Sequence, residues 1–411
     1  MKNIFNTIQF CRICNSSKLT EILNLGKQAP ANSLYKSTDE RPPDVPLRLI
    51  FCDNCTTVQL GEDVDPDYLF SQYLWVTGTS KTAEKYSYKF AKKALDKLDN
   101  LKNNVPYVVE IASNDGTFLR RFIEKGCNIL GIDPAKNIAK DASNNGVPTI
   151  PKFFNVNLAK KLIEKVGQAD IIFARNVIPH VKDIHPVIEG ISTFLKEDGV
   201  GIIEFHNVGL VLDELHYDYI YHEHLFYFSL KTINGLLHMH DLYIYDLMYS
   251  PISGGSWVVY FSKNKKPKSK KLLEIEKKEL YNQLNKFSRW KEFSDSVLSH
   301  ADRIKEVVFN KGKKIPAYGA SARSSTLLNF CGINSEHISV IIDKNPLKEG
   351  LYTAGSNIPI VSFQDGQDEI KKSNQILLLA WNFKDEIISE LRKVGFKGQF
   401  IIPLPGNPYK L

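Results

Sequence analysis

The chain has 411 residues, too many for one ordinary hydrophobic core, so two or three domains are expected. A composition of 43% hydrophobic and 24% charged residues excludes a disordered or fibrous chain. The net charge of +7 is modest for this length and comes mostly from lysine, which reads as solvated helix faces rather than a nucleic-acid patch while still suiting an anionic nucleotide ligand.

No apolar run is long enough for a membrane span, and the N-terminus lacks a basic-then-apolar leader. A cytoplasmic, reducing location with no membrane partner is the expectation, so the six cysteines read as metal ligands or buried thiols. Four of them form two Cys-x-x-Cys pairs, Cys11 with Cys14 and Cys52 with Cys55. Four thiolates are the set a tetrahedral structural zinc prefers, although the 15–51 insert is long for a zinc ribbon. Pro30, Pro42, Pro43 and Pro46 suit an irregular insert, and a zinc-binding domain is expected over 1–70. Cys127 and Cys331 stand alone and read as small buried hydrophobes.

An aromatic stretch follows, containing Tyr73 and Trp75, and then an amphipathic helix is predicted over 81–101. From residue 107 strands and helices alternate. Strands are predicted at Tyr107–Ala112, Asn128–Asp133, Ala169–Asn176 and Val200–His206, which argues for a parallel, doubly wound sheet. Tyr243–Met248 and Ser256–Ser262 are expected to add an antiparallel edge. Residues 265–312, dense in Lys, Glu and Leu, read as a helical spacer. A second α/β set then begins with Lys314–Tyr318, Ile338–Asp343, Ile376–Trp381 and Phe400–Pro403. Its first strand runs into Gly319-Ala320-Ser321-Ala322-Arg323, a turn that can offer a helix N-terminus to phosphate, or serve only as a tight turn.

The first strand of the alternating region ends Glu110-Ile111-Ala112-Ser113-Asn114-Asp115-Gly116, where Gly116 and the small residues allow close approach by a ligand. The next strand ends in Asp133-Pro134, an acid placed to accept hydrogen bonds from ribose hydroxyls. The turn has neither the G-x-G-x-x-G spacing of a dinucleotide site nor the lysine of a P-loop. This arrangement resembles that of S-adenosylmethionine (SAM) dependent methyltransferases. Asn176, at the end of a later strand, and His180 just beyond it fit the same site.

Residues Tyr219-Ile220-Tyr221-His222-Glu223-His224 concentrate proton-transfer chemistry. If this run is a strand, His222 and His224 share one face and Tyr221 and Glu223 the other. Its spacing does not fit the His-Glu-x-x-His zinc helix, so proton transfer or a pair of structural histidines remains.

The whole chain resembles the nucleotide-sugar 3-C-methyltransferases, which methylate C3 of a nucleotide-linked 4-keto deoxysugar. The resemblance rests on the two Cys pairs, Pro30-Ala31-Asn32, Asn114-Asp115-Gly116, Asn176-Val177 through His180, Tyr221-His222-Glu223-His224, Gly254-Gly255-Ser256 and the Gly319-Ala320 turn. It implies an α/β chain with a small N-terminal zinc domain (1–70), a Rossmann-like SAM-dependent methyltransferase domain (71–263) and a C-terminal Rossmann-like domain (264–411) that helps hold the nucleotide-sugar. It also implies His224 as the base at C3, with Tyr221, Glu223 and His180 around the sugar. The cofactor candidates are Glu110, Ala112, Asn114, Gly116, Asp133, Pro134 and Asn176, and the substrate candidates are Tyr73, Trp75, Asn207, Ser321 and Arg323. The expected partner is a thymidine- or guanosine-diphosphate 4-keto sugar, without nucleic acid, and the expected state is a monomer or weak dimer.

Two departures bear on the sugar. Trp75 stands where the family commonly has tyrosine, with Tyr73 as a substitute, and Ser253-Gly254-Gly255-Ser256-Trp257-Val258 replaces a His-Gly-Gly-Ser-x-Arg motif. Other readings are O-methylation or C3 epimerisation of a nucleotide sugar, and more distantly a zinc-containing nucleic-acid-binding protein. O-methylation leaves the Tyr221–His224 run without a task, and the acidic 61–67 segment near the cysteines opposes nucleic acid.

Overall fold

Apolar runs rich in Val and Ile form the centre of a seven-stranded sheet in the computed structural model, which describes residues 4–70, 77–79, 81–98, 105–309 and 313–411. In spatial order its strands are Tyr243–Ser250, Ser256–Ser262, Leu195–His206, Ala169–Arg175, Tyr107–Ile111, Asn128–Ile132 and Thr149–Ile150. The last five run parallel, and Ser256–Ser262 is antiparallel to both of its neighbours, the edge expected from the sequence. Ala169–Arg175 and the second half of Leu195–His206 are buried almost throughout because helices cover both faces.

The cysteine-bearing segment forms an antiparallel sheet of Leu19–Gln28, Val45–Cys52 and Val58–Leu60. Its fourth strand comes from far along the chain: Phe226–Tyr227, directly after the Tyr219–His224 run, pairs with Val58–Leu60. This pairing seats the run between the first sheet and the seven-stranded one. A third sheet, ordered Ile360–Val361, Ile338–Ile342, Ile315–Tyr318, Gln375–Leu378, Gln399–Ile402 and Tyr409–Lys410, is parallel except at its last strand.

The 265–312 stretch is not a spacer. It divides into helices Lys270–Tyr281 and Phe287–Val308, and the second buries Trp290, Phe293, Val297, Ala301, Ile304 and Val308 along one face. Those positions recur three and four residues apart, so the stripe packs into the core shared by the sheets. His300 on that helix donates Nε2–H to the Pro403 carbonyl (2.8 Å), which leaves Nδ1 to accept from the Tyr217 hydroxyl (3.0 Å). Cys331 lies 3.4 Å from the same hydroxyl, and both it and Cys127 are buried, as read from the sequence. Among the described residues no helix is long and apolar enough to cross a membrane.

Removing the Tyr217 hydroxyl would leave the His300 acceptor buried and unpaired. Tyr217→Phe is therefore expected to lower unfolding stability by about 1–3 kcal/mol in chemical denaturation, with no loss of secondary structure.

Candidate active site

The four thiols named from the sequence converge. Cys11 and Cys55 Sγ lie 3.6 Å apart, Cys14 and Cys52 Sγ 3.5 Å apart, and all four fall within 4.8 Å of one another. A tetrahedral zinc with bonds of about 2.3 Å needs sulfurs about 3.8 Å apart, so the donor set fits that ion by number, softness and spacing. The hydrogen bond from Cys55 draws the Cys11 thiol down to about 4, and burial pushes Cys52 up to about 11. Crowded thiols without a cation share little negative charge, and a bound divalent ion is what would let all four ionise.

The cofactor candidates gather at the carboxyl ends of Tyr107–Ile111 and its neighbours. Ala112 (φ 55°), Asn114 (φ 50°) and Asn176 (φ 51°) all hold left-handed backbone there, a strain that clusters at ligand sites. Glu110 Oε2, Ser113 Oγ and Asn176 Oδ1 are buried without a hydrogen-bond partner. Burial raises the Glu110 carboxyl far above the usual carboxylate range, partly offset by Arg175. These orphaned groups are what a polar nucleoside could satisfy, so the site fits SAM.

Asp133 holds this loop together. Its carboxylate accepts from the Asn114 amide of the preceding loop (2.8 Å) and from the Ala135 amide just past Pro134 (2.9 Å). Packing also requires Gly116, because a Cβ there would lie 2.7 Å from Val147. Thr77 and Gly78 lie over the loop, donating their amides to Asn114 Oδ1 (2.9 Å) and Asp115 Oδ2 (3.0 Å). Beside it the Arg175 guanidinium pairs with the buried Glu204 carboxylate at 2.7 Å and covers the Phe118 ring.

The Tyr219–His224 run is neither strand nor helix. It continues a 3-10 turn, Tyr217–Tyr219, into a tight turn closed by the His224 amide on the Tyr221 carbonyl (2.9 Å). Strand alternation therefore does not apply, and the two histidines diverge. His222 donates Nε2–H to the Val45 carbonyl of the first sheet (3.2 Å), a tie between units. His224 donates Nδ1–H to the Tyr219 carbonyl (2.8 Å), which makes Nε2 the lone-pair nitrogen. Its ring lies against Tyr219 (3.9 Å) and Tyr221 (3.8 Å), both tilted to it, with His180 edge-on at 4.8 Å.

Burial is the main cause that pushes His224 well below the ordinary imidazole range and His180 down to about 4, so both rings are neutral at pH 7. His180 Nδ1 is buried without a partner. Glu223 turns the other way and accepts from Asn32 Nδ2 at 2.5 Å, and burial pushes its carboxyl up to about 7. The structure thus brings His224, Tyr221 and His180 together at the carboxyl edge of the central sheet, while the Glu223 carboxyl faces Asn32.

The substrate candidates are dispersed. Asn207 caps the helix Val208–Asp213 by accepting from the Gly209 amide (2.9 Å), and Ser321 caps Ala322–Phe330 by accepting from the Ser324 amide (3.2 Å). Arg323 forks onto the Asp218 carboxylate through Nε (3.0 Å) and Nη2 (2.8 Å). Tyr73 and Trp75 lie outside the described residues. Sequence reasoning missed Asn32, which holds Glu223, and Asp218, which holds Arg323; Asn32, in a turn already singled out, and Asp218, next to the run, each carried a signal.

Three family models match consecutive parts of the chain: a zinc binding domain over 11–70, a methyltransferase domain over 83–247 and a C-methyltransferase C-terminal domain over 251–405. The chain is 29% identical to the C-methyltransferase NovU of Streptomyces niveus over 413 aligned positions, covering 98% of this chain and 97% of that protein. Solved structures align more loosely. The magnesium protoporphyrin IX methyltransferase of Synechocystis PCC 6803 covers 43% of this chain and 78% of its own at 10% identity and a TM-score of 0.33. A SAM-dependent methyltransferase of Clostridium acetobutylicum covers 45% and 93% at 12% identity and a TM-score of 0.34.

Fold, site and family models together define a SAM-dependent methyltransferase with a four-thiolate zinc module. Within that class, the chain is similar to C-methyltransferases, through the C-terminal domain model over 251–405 and through NovU along nearly its whole length.

Two outcomes are expected here. Cys52→Ser should cut bound zinc, measured by elemental analysis, from one equivalent to near zero, and should loosen the first sheet. Glu223, whose folded carboxyl titrates near 7 instead of near 4.5, keeps a proton in the folded state that the unfolded chain releases. Stability should therefore fall as pH rises from about 4.5 to about 7, by on the order of 3 kcal/mol from this group. Glu223→Gln should flatten that part of the Tm-against-pH curve.

Proposed function

We propose that the chain methylates C3 of a 4-keto deoxysugar carried on a thymidine or guanosine diphosphate. The observation that carries this reading is the buried, neutral His224, with Nδ1–H fixed on the Tyr219 carbonyl and Nε2 left basic beside the carboxyl edge of the cofactor sheet. Methyl transfer to oxygen involves no carbon acid, whereas a carbon next to a ketone becomes nucleophilic only once its own proton is removed.

In this reading His224 Nε2 removes the C3 proton next to the ketone. A neutral imidazole is a weak base for a carbon acid, so the charge growing on the ketone oxygen needs donors already in place. His180 is neutral and can present Nδ1–H, and the Tyr221 hydroxyl is a second candidate donor. Glu223, held by Asn32, anchors the turn from the side of the first sheet. SAM supplies the methyl group as a sulfonium electrophile. Glu110, Ala112, Asn114, Gly116, Asp133, Pro134 and Asn176 would form or support its pocket, and the enclosed site would keep water from the carbanion.

The experiment is proton exchange without methyl donor. In D2O the wild-type protein should exchange the C3 proton of a thymidine-diphosphate 4-keto deoxysugar. His224→Ala should slow that exchange at least about 100-fold while calorimetric SAM affinity changes less than about twofold. Exchange at the wild-type rate in the variant would remove His224 from the base role.

A further inference from the structure

Resting on the reading of His224 as the base, we infer that Arg323 is a positioning residue for that base, acting through Asp218 and the Tyr219 carbonyl, and not a phosphate ligand. Asp218 is 1% exposed and takes three donors: Arg323 Nε (3.0 Å), Arg323 Nη2 (2.8 Å) and Trp381 Nε1 (2.8 Å). Both donor residues belong to the C-terminal α/β set, while Asp218 directly precedes the residue whose carbonyl holds His224.

The grip is doubled one helical turn further on. Thr326, three residues after Arg323 on the same helix face, donates its hydroxyl to the Ile220 carbonyl at 2.8 Å. Residues 218 and 220 are thus fastened to one helix, with Tyr219 fixed between them. The Tyr219 ring stacks on His206 (4.0 Å) and meets the tilted His224 ring (3.9 Å), and the Arg323 guanidinium lies 5.7 Å from it and 4.7 Å from the Trp381 ring. A planar fork on a carboxylate fixes angle as well as distance, which a lysine cannot do. A phosphate that took this guanidinium would leave a buried carboxylate short of donors. If the 218–220 backbone rotates, the carbonyl leaves Nδ1–H, and the imidazole can carry its proton on Nε2, the nitrogen that has to be empty.

The test is 15N-histidine NMR on the full-length protein, with the His224 signal assigned by its loss in His224→Gln. Wild type should show His224 protonated at Nδ1 alone. Arg323→Gln and Trp381→Phe should introduce the Nε2-protonated form. With a thymidine-diphosphate 4-keto deoxysugar as substrate, kcat should fall about tenfold or more while KM stays within about twofold, and Arg323→Lys should recover kcat only in part. An unchanged tautomer and kcat in Arg323→Gln, with KM raised about tenfold, would overturn the proposal in favour of a phosphate contact. SAM affinity by calorimetry checks folding. If Arg323→Gln fails that check, Trp381→Phe, which deletes one N–H and keeps an aromatic ring, decides by the same readouts. Should His224→Gln still exchange the C3 proton, the base reading fails, while the tautomer measurement still decides the Arg323 clamp.

Discussion

The hydrogen bond from His224 Nδ1–H to the Tyr219 carbonyl, 2.8 Å long and buried, is the constraint on which the site depends. A backbone carbonyl can only accept, so this contact alone assigns the tautomer and leaves Nε2 with its lone pair. Desolvation, assisted by His180, His206 and Arg323, keeps the ring uncharged at neutral pH. The rest of the architecture serves to hold a six-residue turn still enough for that bond to persist.

Three parts of the molecule share the task. The first sheet takes Phe226–Tyr227 as its fourth strand, binds His222 through the Val45 carbonyl and reaches Glu223 through Asn32. The central sheet brings Asn176 and His180 to its carboxyl edge, below the turn. The C-terminal set grips residues 218 and 220 through Arg323, Trp381 and Thr326. The zinc module is thus joined to the site by its own sheet, which gives a structural metal a route to activity without touching substrate.

Much of the fold was legible in the chain, because strands buried on both faces read as continuous Val and Ile runs and helices as three-and-four spacing. The thiol pairs were legible for a chemical reason: two Cys-x-x-Cys knuckles complete one tetrahedron. The geometry of the run was not. Alternation would have paired His222 with His224, but a turn sends them to different partners, and nothing local in Tyr-His-Glu-His distinguishes the two. Arg323 read as a charge beside a turn open to phosphate or to packing alone; its partner Asp218 lies far away in sequence, and only tertiary contact reveals it. Residues 265–312 looked like a spacer because charge dominates their composition, while the buried stripe from Trp290 to Val308 occupies one face only. Asp133 was legible as an acid at a strand end, but its bonds to two loop amides are visible only in three dimensions.

The central claim is that this site makes a carbon–carbon bond. Incubating the protein with SAM labelled by 13C in its methyl group and a thymidine- or guanosine-diphosphate 4-keto deoxysugar, and reading the product by carbon NMR, tests it most directly. The account predicts one labelled methyl on a quaternary carbon next to the ketone. A labelled methyl with the shift of an O-methyl ether, or a C3 epimer without label, would contradict it.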